Sequence, residues 1–165
     1  MKTVIGIDPG KRGGLAIYSA GMALATPLVY NQHGMVDVMF INAALMDAQP
    51  DIVVIERQWA HGGQGVTSSA TTMLNYGRLL AVAELEGECM ILTPTPQSWQ
   101  KVILGSVPKG QTKDASIAWC RENFPDVSLL PTQRSRKPSD GLADALCLAF
   151  AGYSHSETLR KGMKR

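Results

Sequence analysis

The stretch Thr3-Val4-Ile5-Gly6-Ile7-Asp8-Pro9-Gly10 decides how the rest of the chain is read. Thr3 to Ile7 is short, apolar and β-branched, the composition of a strand buried on both faces. Pro9-Gly10 stops it. Asp8 therefore closes a buried strand at the rim of a sheet, where a carboxylate loses solvation and needs a partner. Gly13 to Ser19 predicts a second strand and Leu24 to Val29 a third, with Gly21 in the turn, so the chain begins as an antiparallel meander. Residues 35–48 place Val38, Met39, Ile41, Ala44, Leu45 and Ala48 at helical spacing. Pro50-Asp51 resets the chain, and Ile52-Val53-Val54-Ile55 is a second continuous apolar run, closed by Glu56. Strand, helix, strand implies a crossover and a parallel pairing.

A glycine-rich loop at 60–65 leads to a helix over about 67–86 that Thr67 or Ser68 can cap. It is rich in small residues (Ala70, Gly77, Ala81, Ala83), and Gly87 stops it. Glu88 to Leu92 reads as a fifth strand, Pro96 opens a short helix, and residues 113–123 form another. After an irregular stretch over 126–138, Ser139 or Asp140 caps a last helix over about 140–153. The expected organisation is one α/β domain over 1–153 and a basic, flexible tail over 154–165.

The 165 residues, 45% hydrophobic and 18% charged, suit one domain with a real core. The net charge of +2 hides a segregation: residues 1–96 carry five Lys/Arg against eight Asp/Glu, residues 97–165 eleven against six. A basic surface beside an acidic pocket suits a polyanion. Cys89, Cys120 and Cys147 are far apart and form no metal-ligand spacing, which excludes a zinc site and points to reduced thiols in the cytoplasm. Met1-Lys2 runs straight into a strand, so no signal peptide is expected, and no apolar run approaches the ~20 residues that span a bilayer.

The acids carry the chemistry. Asp8 reads equally as a metal ligand or as an Asx-type turn residue. Gly6 to Lys11 is one residue short of a phosphate-binding P-loop, and Arg12 stands where a hydroxyl should bind magnesium. Glu56 is disfavoured in a strand and wants a reason to be there. Its neighbour Arg57 projects from the opposite face. Trp59 is either a core aromatic or a stacking platform for unpaired bases, its polar surroundings favouring the platform. Asp140 and Asp144, four apart, share one helical face, and Asp144 sits among Ala143, Ala145 and Leu146. Converging acids of this kind need cations between them, as in two-metal cleavage of a phosphodiester. Lys101, Lys109 and Lys113, if not plain surface lysines, can contact phosphate. Of His33, His61 and His155 only His61, in the glycine loop, is a candidate.

Together these residues resemble the RuvC-type Holliday junction resolvases of the ribonuclease H-like superfamily. The resemblance rests on Ile7-Asp8-Pro9-Gly10, Val54-Ile55-Glu56, Trp59 three residues on, and Asp140-Gly141-Leu142-Ala143-Asp144-Ala145-Leu146, in order along nearly the whole chain. It implies a five-stranded mixed sheet with the first three strands antiparallel, flanked by helices. It implies a structure-specific endonuclease in which Asp8, Glu56, Asp140 and Asp144 hold two Mg²⁺ ions, Mn²⁺ substituting. Lys113, or else Lys101 or Lys109, is the basic residue of the site, and cleavage leaves 5′-phosphate ends. Trp59 corresponds to the aromatic at the junction centre. Arg57, Lys101, Lys109, Lys113, Arg134, Arg136 and Lys137 are the candidate DNA contacts. The partner is branched DNA, with no membrane and no small-molecule substrate, and a homodimer is expected; the small residues of the 67–86 helix make it the candidate interface, the alternative being a helix packed on its own sheet. Bacterial members usually space the last two acids three apart. The spacing of four, with Gly141 after Asp140, looks more like bacteriophage-encoded relatives, which accept other branched DNA and act in the cytoplasm of the infected host. The alternatives are a ribonuclease H-like nuclease for RNA or flaps, and a branched-DNA-binding protein that does not cut.

Overall fold

The computed structural model describes residues 1–60, 63, 65–85 and 87–163. Five strands form one mixed sheet: β1 (Thr3–Asp8), β2 (Gly14–Ser19), β3 (Met22–Pro27), β4 (Ile52–Ile55) and β5 (Met90–Leu92), in spatial order β3-β2-β1-β4-β5. β1, β2 and β3 pair antiparallel; β4 runs parallel to β1, and β5 parallel to β4. The helices are α1 (Val38–Ala48), α2 (Val66–Leu85), α3 (Pro96–Ile103), α4 (Thr112–Asn123) and α5 (Asp140–Met163). This is the α/β architecture expected from the sequence.

The period-two alternation of the strands sorts the core into two layers. Ile5 and Ile7 of β1, with Val53 and Ile55 of β4, pack against Ile41 and Leu45 of α1 and Tyr76, Leu79 and Val82 of α2. Val4, Ile52 and Val54 face the other way, into the layer built by α5 with α3 and α4. That second layer includes an edge-to-face aromatic cluster in which Tyr18 meets Phe124, Phe150 and Tyr153.

α5 lies directly on the middle of the sheet. Gly6 of β1 is what permits this: a Cβ there would collide with the Ala145 carbonyl oxygen and the Ala149 backbone nitrogen. The helix presents small residues to the strand, and Ala143, Ala145 and Ala149 are all fully buried.

Two stretches differ from their sequence expectation. The third strand starts and ends two residues early, because the turn at Ala20–Gly21, both at positive φ, already pairs Met22 with Ser19. The chain beyond Ser154 is not a tail as far as residue 163. α5 kinks at His155 (φ −133°, ψ 26°) and continues, since Leu159 is buried and the Met163 sulfur accepts the Thr93 N–H at 3.2 Å. His61, the last residue of the expected 67–86 helix and residues 164–165 lie outside the described residues.

Gly6→Ala should lower the unfolding free energy by about 3 kcal/mol, since neither backbone atom that the methyl meets can swing aside. Urea denaturation followed by circular dichroism checks this, and an unchanged midpoint would show that the helix can lift off the sheet at little cost.

Candidate active site

The same alternation places the acids. Asp8 follows Val4 and Gly6 on the α5 side of β1, and Glu56 follows Ile52 and Val54 on the α5 side of β4. The Glu56 N–H donates to the Ile7 carbonyl at 3.0 Å, extending the parallel pairing by one residue, so the two acids end adjacent strands. α5 opens at Asp140 and carries Asp144 one turn on, towards the same end of the sheet. Gly141 lets the helix start come this close: a Cβ there would collide with the Arg12 carbonyl oxygen and stand 3.0 Å from Asp8 Oδ2.

Each acid has its own support. The Gly10 N–H donates to Asp8 Oδ1 at 2.9 Å. Glu56 Oε1 accepts the indole N–H of fully buried Trp99 at 2.8 Å, and Oε2 accepts from Gln58 at 3.0 Å. Asp140 Oδ2 pairs with Lys113 Nζ at 2.5 Å. Asp144 is hydrogen-bonded to the Ser116 side chain.

Three of the four carboxyls are strained as anions. Burial pushes Asp8 up to about 6, Asp140 adding repulsion. Burial pushes Glu56 up to about 7, helped by Asp8. Burial pushes Asp144 up to about 7, with Asp8, Glu56 and Asp140 all repelling it. Asp140 is the exception: the hydrogen bond and charge of Lys113 hold it below the usual carboxylate range.

This oxygen-only, mutually repelling set suits a hard divalent cation. Among the described residues no three acidic or other ligating side chains close on one point as a ready-made cage. The cleft over the acids is lined by Lys11, Arg12 and Lys113, so three cations face the carboxylates.

The sequence candidates divide accordingly. Asp8, Glu56, Asp140, Asp144 and Lys113 come together. Arg57 turns to Thr93, its Nη2 3.3 Å from the hydroxyl. Trp59 is half-buried. Lys101 lines a different groove, with Gln97, Gln100 and Thr112. Lys109, Arg134, Arg136 and Lys137 are exposed in loops before α4 and α5. Trp99, Ser116, Gln58 and Lys11 belong to the site or its support and escape sequence reading. Only Lys11-Arg12, two basic residues directly after Asp8-Pro9-Gly10, left a visible signal.

No protein-family model matches the chain, and no curated protein is significantly similar to it in sequence. Solved structures are similar in fold. Thermus thermophilus RuvC in complex with a Holliday junction substrate superposes with a TM-score of 0.65 at 18% identity, covering 95% of this chain and 96% of that one. The chain has the RuvC fold. A second structure of Thermus thermophilus RuvC gives 0.57 at 22% identity, covering 94% and 97%. The Fowlpox virus resolvase, also in complex with Holliday junction DNA, gives 0.51 at 12%, covering 94% and 98%.

The raised pKa values fix a pH dependence. Below their ordinary values of 3.8 for Asp and 4.5 for Glu, Asp8, Glu56 and Asp144 are protonated in both states. Between there and 6–7 the native state binds more protons than the unfolded one, so stability is lost as pH rises through that window. Asp140, shifted down, has the opposite sign but titrates below it. Calorimetry without divalent cations should show Tm falling from pH 5 to pH 8, and Mg²⁺ should restore more of it at pH 8 than at pH 5. A Tm that does not fall over this range would show that the acids ionise without strain.

Proposed function

We propose that the chain is a RuvC-type Holliday junction resolvase, a metal-dependent endonuclease that hydrolyses phosphodiesters in four-way DNA junctions and leaves 5′-phosphate ends. One observation carries the reading: four carboxylates from β1, β4 and α5 meet at one end of the sheet in a fold shared with a protein that was solved on a Holliday junction. Asp8, Glu56, Asp140 and Asp144 would hold two Mg²⁺ ions, Mn²⁺ substituting. Bound there, the cations supply an activated water and charge stabilisation at the leaving oxygen. The protein's part is to orient the four carboxylates, through Trp99 and Gln58 on Glu56, Gly10 on Asp8, Ser116 on Asp144 and Lys113 on Asp140. Lys113, with Lys11 and Arg12, meets the phosphate that lies across the cleft.

Trp59 stacks against unpaired bases at the junction centre. Arg57, Lys101, Lys109, Arg134, Arg136 and Lys137 contact the DNA arms. The closer counterpart is the bacteriophage type, on the Asp140-Gly141 pair and the four-residue spacing, which extends the substrates to other branched DNA. The compartment is the cytoplasm of a bacterium or of its infected host. No helix of the described residues is long and apolar enough to cross a membrane.

A four-way junction is symmetric, and two matched cuts call for a two-fold dimer. Val66, Ala70, Leu74, Gly77, Ala81 and Leu85 form an exposed, small and apolar stripe along the outer face of α2, which supports pairing there. Gel filtration at micromolar concentration should give a dimer for the natural chain and a monomer for Gly77→Arg. A natural chain that elutes as a monomer would remove the dimer from the proposal.

The deciding experiment is cleavage of a synthetic four-way junction with Mg²⁺, beside Asp8→Asn. Paired symmetric nicks are expected with the natural chain, falling to background in the variant. Tight junction binding without cleavage under Mg²⁺ or Mn²⁺ would move the protein to the non-cleaving class. Preference for an RNA hybrid or a flap in competition would move it to the related nucleases.

A further inference from the structure

We infer that Tyr30 is a positioning residue for Asp8, acting through Gly10; this rests on reading Asp8 as a cation ligand of the proposed nuclease. The Tyr30 hydroxyl donates to the Gly10 carbonyl at 2.6 Å. The Gly10 N–H in turn donates to Asp8 Oδ1 at 2.9 Å. Gly10 is thus gripped on both sides, its N–H on the carboxylate and its C=O under the tyrosine. The Gly13 N–H also reaches that carbonyl, at 2.7 Å, and closes the turn from within. Between Asp8 and Gly14 the chain has glycine at two of five positions, so the turn is inherently loose and the external hydroxyl limits it.

Tyr30 has a rigid base from which to act. It bridges to Val36, and the segment between them is tied to α2. The Val36 N–H donates to Asn75 Oδ1 at 2.9 Å, Asn75 Nδ2 donates to the Gly34 carbonyl at 3.0 Å, and Arg78 Nη2 donates to the Val36 carbonyl at 3.1 Å. Asn75 is 6% exposed and its bond from the Val36 N–H is buried, while the other two are part-buried, so the central bond of the three is shielded from water. The tyrosine therefore transmits the fixed position of α2 to the turn that aims Asp8. A carboxylate that must meet a cation at defined geometry depends on such outer contacts as much as on its own placement.

The test is Tyr30→Phe in the full chain, which removes one hydroxyl and keeps the ring. Mn²⁺ binding to the DNA-free protein, followed by electron paramagnetic resonance, should weaken about tenfold, the usual cost of losing a contact that orients a ligand. Single-turnover junction cleavage at saturating protein should slow by about the same factor and recover in part at higher Mg²⁺. Junction affinity without divalent cations and Tm should stay as in the natural chain. The Gly10 amide resonance should move both in Tyr30→Phe and in Asp8→Asn, which reports the linkage without any activity. Natural Mn²⁺ affinity and natural cleavage rate in Tyr30→Phe would overturn the inference. So would Tm, junction affinity and Mn²⁺ affinity falling together, the pattern of a merely structural residue. If the natural chain cuts no junction, the nuclease reading fails, and the Mn²⁺ and Gly10 results decide the role of Tyr30 alone.

Discussion

The structure depends on one close approach, the seating of α5 on β1. Backbone meets backbone at Gly6, where a strand without a side chain receives the Ala145–Ala149 turn of the helix. It meets again at Gly141, where the first turn of the helix rests on the Arg12 carbonyl. These contacts set the height of the helix over the sheet, and with it the distance between acids that belong to different elements. A side chain at either place would lift α5 by the thickness of a methyl group or more. Asp140 and Asp144 would then leave Asp8 and Glu56, although each residue would still be present. Ala145 and Ala149 are the helix's half of the same fit, and their burial provides the non-directional term that holds the two surfaces together.

Seating the helix this closely concentrates negative charge where solvent is scarce. The protein disperses the cost unevenly. Asp140, at the exposed start of the helix, takes a lysine ammonium and stays comfortably ionised. Glu56, deeper, receives an indole N–H, a neutral donor that orients the carboxylate but offsets only part of its desolvation. Asp8 and Asp144 are left with single hydrogen bonds and each other's repulsion. The unrelieved strain is thus left at the three acids without an ion pair, most of all at Asp144, and they are the ones with most to gain from a divalent cation.

The sheet was legible because apolar runs broken by Pro, Gly and acids leave little choice of element. That Asp8 and Glu56 each close such a run was legible too; that they share a face follows only from the β1–β4 register, which pairs Gly6 with Val54. The shared face of Asp140 and Asp144 was legible from helical period. The supporting groups were not legible. Trp99 lies 43 residues from Glu56, and nothing in Pro96-Gln97-Ser98-Trp99 says that its indole N–H crosses to another element. Tyr30 sits between a strand and a helix in a stretch that reads simply as a loop. The helical course of residues 156–163 was hidden because it is stabilised by packing: Leu159 and Met163 reach back to distant parts of the fold, while the sequence is polar enough to look frayed. In each case the missing information is a long-range contact, which periodicity does not encode.

The charge balance of the cleft ties these observations to a polyanionic substrate. Asp8, Asp140 and Asp144 share the cleft with Lys11, Arg12 and Lys113, and with Glu56 beside them the ionised acids outnumber the basic side chains by one. A cleft in that state does not attract a phosphodiester. Each divalent cation bound adds two positive charges within a low-dielectric site, and the cleft then attracts phosphate. Lys113, paired with Asp140 in the empty site, would then be held less firmly, because a carboxylate shared with a cation would bind its ammonium more weakly. In the proposed nuclease, cation and nucleic acid would therefore bind with positive coupling, since a site that is slightly negative when empty would become cationic when loaded, while the exposed lysines and arginines of residues 97–165 would hold the flanking DNA regardless of the metal.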